Sequence, residues 1–318
     1  MAAVVAVLVL AGCGTTVSSG SSSSGGSGSS GGTCKVGTGA PKPPPITPAT
    51  VTVAKDSAAA GMVPASIRSK GTLTVAADAS YPPNEFLSSG GKIVGMDVDL
   101  GNAIGKTLGM QTKFVNASFD GILAGLAAHK YDLGMSSFTD TKERQQTVNF
   151  VTYFTAGTSI MAKKCNPLHI SGTTDLCGKK VGAENGTTQL ESLQKNEPDS
   201  VVQKCKAAGK AAPVASGYPN QSDVNTALQA GRIQSYLADT PVVDYAVKAN
   251  PQLFQKVGKT ADEAPYGIAI PKDTGTMDKA VLAAVKKLMA GGQYLTILKA
   301  WGVQAGAISN PTINGATS

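Results

Sequence analysis

Four hydroxyl side chains, Ser136, Ser137, Thr139 and Thr141, stand just ahead of a single arginine, Arg144. The apolar run ending at Met135 reads as a strand, and open α/β sheets bind ligands beyond the carboxyl ends of their strands. A hydroxyl-rich turn with free backbone N–H groups, followed by one guanidinium, is what a carboxylate needs: a two-pronged fork plus local donors. Read alone, Arg144 in Lys-Glu-Arg-Gln-Gln is also an ordinary solvated helix residue. The other chemistry-bearing patterns dissolve on inspection. Gly105-Lys106-Thr107 looks like the end of a phosphate-binding loop, but the Gly that loop requires is replaced by Leu100, and the triplet lies inside an amphipathic helix. Gly28, Ser30 and Gly32 match the GxSxG pattern of serine hydrolases within a Gly/Ser tract that has no strand before it and no helix after it. His129 and His169 stand alone, with no Cys-x-x-Cys near either, so no metal and no cofactor is expected.

The elements that must position such a turn are legible as periodicity. From residue 71 onward, β-type runs alternate with helical ones, which predicts an α/β fold with parallel strands and crossover helices. Residues 73–77 read as a strand, and residues 97–108 carry Leu100, Ile104 and Leu108 on one helical face. Asp97 is placed to cap that helix and Gly109 to close it. Phe119, Ile122, Leu123 and Leu126 repeat the spacing ahead of a strand at 132–135. A second set opens near Lys180, with strands at 181–183 and 235–238 and helices at 189–195 and 222–230. A strand at 266–271 follows, then a helix at 277–290 with Val281, Val285 and Leu288 on its apolar face, and a last helix near 294–300.

Composition narrows the function. With 28 Lys plus Arg against 21 Asp plus Glu the chain carries +7, yet only 15% of its residues are charged. The lysines are scattered and no basic run is interleaved with aromatics, so no nucleic-acid partner is expected. Hydrophobic residues at 42% exclude global disorder over the 318 positions. Residues 1–12 form an apolar or small stretch, shorter than the roughly 20 residues of a transmembrane helix, that ends at Cys13. It reads as an export signal, and Leu10-Ala11-Gly12-Cys13 looks like a bacterial lipobox whose thiol receives the diacylglycerol. No Lys or Arg precedes the apolar run, so a start codon upstream is expected. Residues 18–32 are all Gly or Ser, and a Pro-rich stretch follows, which together predict a tether from 13 to 66. Cys34, Cys165, Cys177 and Cys205 are then an even set in an oxidising setting, where disulfides are the default. Cys177 with Cys205 is favoured, leaving Cys34 to pair with Cys165 or both free.

Several segments resemble, in order and spacing, the extracytoplasmic solute-binding proteins of ABC importers, family 3, the group for polar amino acids. They are Val75-Ala76-Ala77-Asp78 with Tyr81-Pro82-Pro83, Gly95-Met96-Asp97-Val98-Asp99-Leu100, residues 136–144, Gly186-Thr187-Thr188-Gln189, Ala238-Asp239-Thr240-Pro241, Tyr266-Gly267-Ile268-Ala269, and Gly292-Gln293-Tyr294 with Trp301. The resemblance covers about residues 71–302 and implies a two-lobed periplasmic-binding-protein type II fold. Two hinge crossovers, near 156–160 and 265–268, would join lobe one (67–157 with 266–318) to lobe two (158–265), with the ligand trapped between them by hinge closure.

The resemblance also implies roles residue by residue. The turn at Ser137 offers its backbone to the α-ammonium, Thr139 binds the carboxylate, and Arg144 is the carboxylate fork. Asp239 is the second-lobe acid that pairs with the ammonium, Thr188 adds donors to the carboxylate, and Tyr81 and Phe119 sandwich the side chain; core packing is the competing role for Phe119. Asp78 and Glu184 match positions that meet the side-chain tip, and two acids there favour a basic or amide side chain over Asp or Glu, as in the lysine/arginine/ornithine/histidine and glutamine binders. The expected partners are an amino acid, the permease and ATPase subunits of an importer, and the membrane through the lipid anchor, with the protein a monomer on the extracytoplasmic face and not an enzyme. A cyclohexadienyl dehydratase-like enzyme and a sensory amino-acid-binding lipoprotein are the alternatives on the same fold.

Overall fold

The structure, a computed structural model, describes residues 34, 36–37, 42–45 and 47–316. The expected signal segment, Cys13 and the Gly/Ser tract lie outside the described residues. In chain order the first elements are α1 (Ser57–Gly61), α2 (Ala65–Arg68), β1 (Thr72–Ala77), β2 (Ser80–Tyr81), β3 (Glu85–Leu87), β4 (Ile93–Val94), α3 (Met96–Leu108), β5 (Gln111–Asn116), α4 (Phe119–Ala127) and β6 (Leu133–Gly134). They are followed by β7 (Val148–Lys163), β8 (Lys180–Glu184), α5 (Thr188–Gln194), α6 (Val201–Ala207), β9 (Val214–Tyr218), α7 (Gln221–Ala230), β10 (Ser235–Asp239), α8 (Thr240–Ala249), β11 (Phe254–Pro271), α9 (Met277–Ala290) and α10 (Gln293–Ala300).

Eight strands form one sheet in the order β5-β1-β6-β11-β7-β10-β8-β9, and β2, β3 and β4 form a small antiparallel one. β1 pairs in parallel with β5 and β6, as β8 does with β9 and β10, so each end of the sheet is a parallel α/β unit. Between them run the two longest strands, of 16 and 18 residues, paired antiparallel with each other. Their register slips at Val257/Ala261, Ala261/Ala264 and Tyr266/Gly267, opposite residues 152–160 of β7, where both strands pass from one unit to the other. The apolar core divides accordingly, which makes the molecule two-lobed. Leu73, Val75, Leu100, Ile104, Val281, Val285 and Ile297 are buried on one side. On the other, Val181, Leu193, Cys205 and Leu237 form one cluster and Val224, Leu228, Tyr236 and Phe254 another.

Two local expectations are corrected. Asp97 does not cap α3: Gly95 is its N-cap residue, and the Asp97 carboxylate turns inward to the Ser137 N–H and the Tyr153 hydroxyl. Gly95 has φ +142°, and a Cβ there would lie 2.0 Å from the Asn84 carbonyl oxygen, so the approach of β3 to the helix start requires glycine. The expected end of the helix is met by Gly109 in the left-handed conformation. The second correction concerns the tether. Residues 47–66 are part of the folded body: the Ala49 N–H donates to Asp99, Asp56 caps α1 by accepting from the Ala59 N–H, and Ala59, Val63 and Ile67 are buried in the first core. Burying a side chain such as Val63 or Ile67 contributes about 1.5–3 kcal/mol, which a Pro-rich context concealed in the sequence.

Both disulfides form, Cys34 with Cys165 and Cys177 with Cys205. The first holds the amino-terminal segment against the second lobe, where the Gly37 N–H donates to the Gln252 carbonyl and the Lys42 N–H to that of Ala249. Pro44 and Pro45 then border an open groove with Phe86, Tyr245 and Trp301 before the segment reaches Asp99 of the first lobe. No described helix is long and apolar enough to cross a membrane.

Candidate functional site

The nine residues singled out in the sequence converge. Asp78, Tyr81, Phe119, Ser137, Thr139, Arg144, Glu184, Thr188 and Asp239 all line one narrow cleft, together with Ser136, Thr187 and Gln189. Strand ends explain the convergence. Asp78 follows β1, the 136–139 turn follows β6, Glu184 ends β8 and Asp239 ends β10, so the carboxyl ends of two parallel pairs of strands, running in opposite senses, meet at the boundary between the lobes. Phe119 opens α4, where its backbone N–H donates to Asp78 Oδ2 at 3.0 Å. It is both core and wall, being 8% exposed and stacked on Phe138 with ring centroids 4.5 Å apart.

Arg144 lies over the Phe119 and Phe138 rings, its guanidinium carbon 5.5 and 5.7 Å from the two centroids. One terminal nitrogen donates to the Thr139 carbonyl at 2.9 Å and the other to the Gly186 carbonyl across the cleft at 2.8 Å. A guanidinium has five N–H donors, so it retains donors for a ligand carboxylate. Gly186 has φ +75°, and a Cβ there would come within 2.9 Å of Asp120, so glycine permits this close approach of the lobes.

Asp239 is the opposite pole. Its Oδ2 accepts from the Tyr81 hydroxyl at 3.0 Å, its Oδ1 from Gln189 Nε2 at 2.8 Å, and its own N–H donates to the Tyr81 oxygen at 3.1 Å. Tyr81 therefore does more than present a ring: it ties the first lobe to the second. Each Asp239 oxygen keeps an accepting lone pair. Gln189 also donates to Thr158 Oγ1 and was identified in the sequence only as part of a motif, although its place one residue into the helix after Gly186-Thr187 put it at the same strand end. Thr187 caps α5, and the Thr188 hydroxyl donates to the Gln189 side-chain amide oxygen, Oε1, at 3.3 Å.

The third feature is a surplus of acid. Asp78, Glu184 and Asp239 are 5%, 2% and 6% exposed, against one guanidinium. Burial pushes all three carboxyls above their ordinary values, most of all Glu184, whose neighbours Asp78 and Asp239 raise it further. Glu184 Oε1 is buried without any hydrogen-bond partner. Asp78 has two: its Oδ2 accepts from Phe119, and its backbone N–H donates to Ser136 Oγ at 2.9 Å. Such a cleft holds one strong site for a carboxylate and two separate acidic sites for cations. Among the described residues no cluster of His, Cys, Asp or Glu could hold a metal ion.

Comparison with known proteins identifies the family. Residues 73–304 match the model for bacterial extracellular solute-binding proteins, family 3. The arginine-binding protein ArgT of Corynebacterium glutamicum is 30% identical over 253 residues, 80% of this chain and 81% of that one. ABC transporter arginine-binding protein 1 of Escherichia coli is 31% identical over 228 residues, 70% of this chain and 87% of its own length. Among solved structures, an ancestral arginine-binding protein bound to arginine is 35% identical, with a TM-score of 0.66 over 73% of this chain and 98% of its own. These relatives are named as binding proteins and not as enzymes. The chain belongs to the bacterial extracellular solute-binding proteins, family 3, receptors for amino acids that serve ABC importers.

Proposed function

We propose that the protein binds a basic L-amino acid, arginine foremost, and delivers it to the permease of an ABC importer. The observation that carries this reading is Glu184, a buried carboxyl with an unpartnered oxygen facing a second buried acid, Asp78. An apolar or acidic ligand side chain would leave that oxygen uncompensated, whereas a guanidinium offers two parallel donors to the carboxyl group. The α-carboxylate goes to Arg144 with Thr139 and Thr188, and the α-ammonium to Asp239 and the Ser137 backbone. The side chain runs between Tyr81 and Phe119 toward Asp78 and Glu184. The ancestral relative solved with arginine and also with glutamine keeps glutamine as the second candidate.

With Arg144 on one lobe and Asp239 on the other, a zwitterion is bound fully only when both lobes hold it, so ligand binding drives hinge closure. In this reading the lobes are 67–157 with 266–318 and 158–265, the docked residues 47–66 belong to the first, the protein acts as a monomer, and Cys13 carries the lipid anchor. Titration calorimetry on protein freed of ligand by unfolding and refolding tests the choice of ligand. Arginine is expected to bind at least tenfold more tightly than glutamine, and glutamate not at all; equal affinity for glutamate would remove Glu184 from the ligand. Replacing Cys13→Ala should shift the exported protein from the membrane fraction to the medium or periplasm, and unchanged fractionation would refute the anchor.

A further inference from the structure

The turn that presents Ser136 and Ser137 rests on a buried pair of carboxyl groups that do not line the cleft. Glu85 of β3 and Asp97 of α3 are both fully buried, and no lysine or arginine among the described residues pairs with either. Glu85 Oε1 accepts from the Ser136 hydroxyl at 3.1 Å and Oε2 from that of Ser137 at 3.2 Å. Each hydroxyl also accepts one bond, Ser136 Oγ from the Asp78 N–H and Ser137 Oγ from Asn84 Nδ2 at 2.8 Å. Asp97 Oδ2 accepts from the Ser137 backbone N–H at 2.9 Å and Oδ1 from the Tyr153 hydroxyl at 2.7 Å. Ser137 itself has φ +53°, a conformation a non-glycine residue keeps only when its surroundings hold it there.

Both carboxyl groups bind Ser137, Glu85 through its hydroxyl and Asp97 through its backbone N–H, and two anions this close in a dry interior with no cation are not sustainable. The surroundings are unequal. Asp97 sits in the first turn of α3, where the helix dipole favours an anion, and accepts a backbone N–H; Glu85 has only hydroxyl donors and also faces the negative field of Asp78. We propose that Glu85 is a neutral acid that donates its proton to the Asp97 carboxylate, and that this hydrogen-bonded pair is the positioning device for the Ser136–Ser137 turn of the binding site. Tyr153 and Asn84 complete it, so every oxygen of the pair has a donor and the turn has no freedom to rotate.

The test combines spectroscopy with binding. Infrared difference spectra of ligand-free wild type against Glu85→Gln at neutral pH should show a carboxylic-acid C=O band lost in the variant. Glu85→Leu should weaken arginine binding by about tenfold, the cost of stranding the turn hydroxyls and Asp97. Glu85→Gln, whose amide donates to Asp97 as the neutral acid does and keeps one oxygen for a serine hydroxyl while the other hydroxyl turns to accept, should restore affinity to within about threefold of wild type. No band, or no rescue by Gln, would overturn the proposal. It rests on the amino-acid site described above, but the ligand-free spectrum decides it even if arginine fails to bind.

Discussion

Replacing Glu184 with Gln removes one negative charge from the cleft and keeps the shape of the side chain. In the ligand-free protein this relieves a buried acid whose Oε1 has no partner. Burial first, then Asp78 and Asp239, hold its value well above that of an ordinary glutamate. Between the ordinary value and the raised one the folded state binds more protons than the unfolded, so ligand-free stability falls as pH rises through that window, and the variant should lose this slope. With arginine bound the sign reverses. A guanidinium at Glu184 favours the ionised form, so binding should release a proton and tighten as pH rises. Breaking a buried charged pair costs about 3–5 kcal/mol, and Asp78 remains as a second acid, so a loss of about 2–3 kcal/mol is expected for arginine, or roughly 30- to 150-fold. Glutamine, which brings no charge, should change by less than about threefold. Calorimetry in two buffers of different ionisation heat reads affinity and proton release together. A loss under fivefold for arginine, or an equal loss for both ligands, would refute the assignment of Glu184 to the side-chain tip.

Arg144→Ala should weaken binding of every amino acid by about 100-fold or more, since it strands the α-carboxylate; calorimetry showing less than a fivefold loss would take Arg144 out of the site. Asp239→Asn should lower affinity by at least tenfold while leaving the fold intact, because Asn keeps an acceptor for Tyr81 or Gln189 but loses the charge that faces the ammonium; unchanged affinity would place the ammonium elsewhere. Cys34→Ser with Cys165→Ser opens a loop with a sequence separation of 131. The loss should be about 2–4 kcal/mol in urea unfolding, and an unchanged midpoint would mean that the amino-terminal segment contributes nothing to stability.

Much of this was legible because periodicity and motif agree. Leu100, Ile104 and Leu108 mark α3, and Val281, Val285 and Leu288 mark α9, by a spacing that only a buried helical face explains. That nine residues meet in one cleft was legible because each sits at a strand end or helix start that the resemblance already ordered. The long strands were not. β7 is buried on both faces over much of its length, so alternation is lost, whereas residues 255–265 of β11 are largely exposed, and only its buried end at 266–271 read as a strand. Asp97 was misread because an acid at a helix start looks like a cap, and only the tertiary fold shows it turned toward Ser137 and Tyr153. Residues 47–66 were hidden by their neighbours' composition, although Val51 and Val53 pack on the first core. Gln189 and the Glu85–Asp97 pair act through contacts tens of residues apart, which no local pattern encodes.

The most direct test of the account is thermal unfolding of the refolded, ligand-free protein against each of the twenty amino acids. A ligand bound only by the native state stabilises it by about 2.7 kcal/mol at 100-fold excess over Kd. The account predicts the largest shift with arginine, smaller shifts with lysine, histidine or glutamine, and none with aspartate or glutamate. A shift with glutamate or aspartate alone would contradict the role given to Asp78 and Glu184.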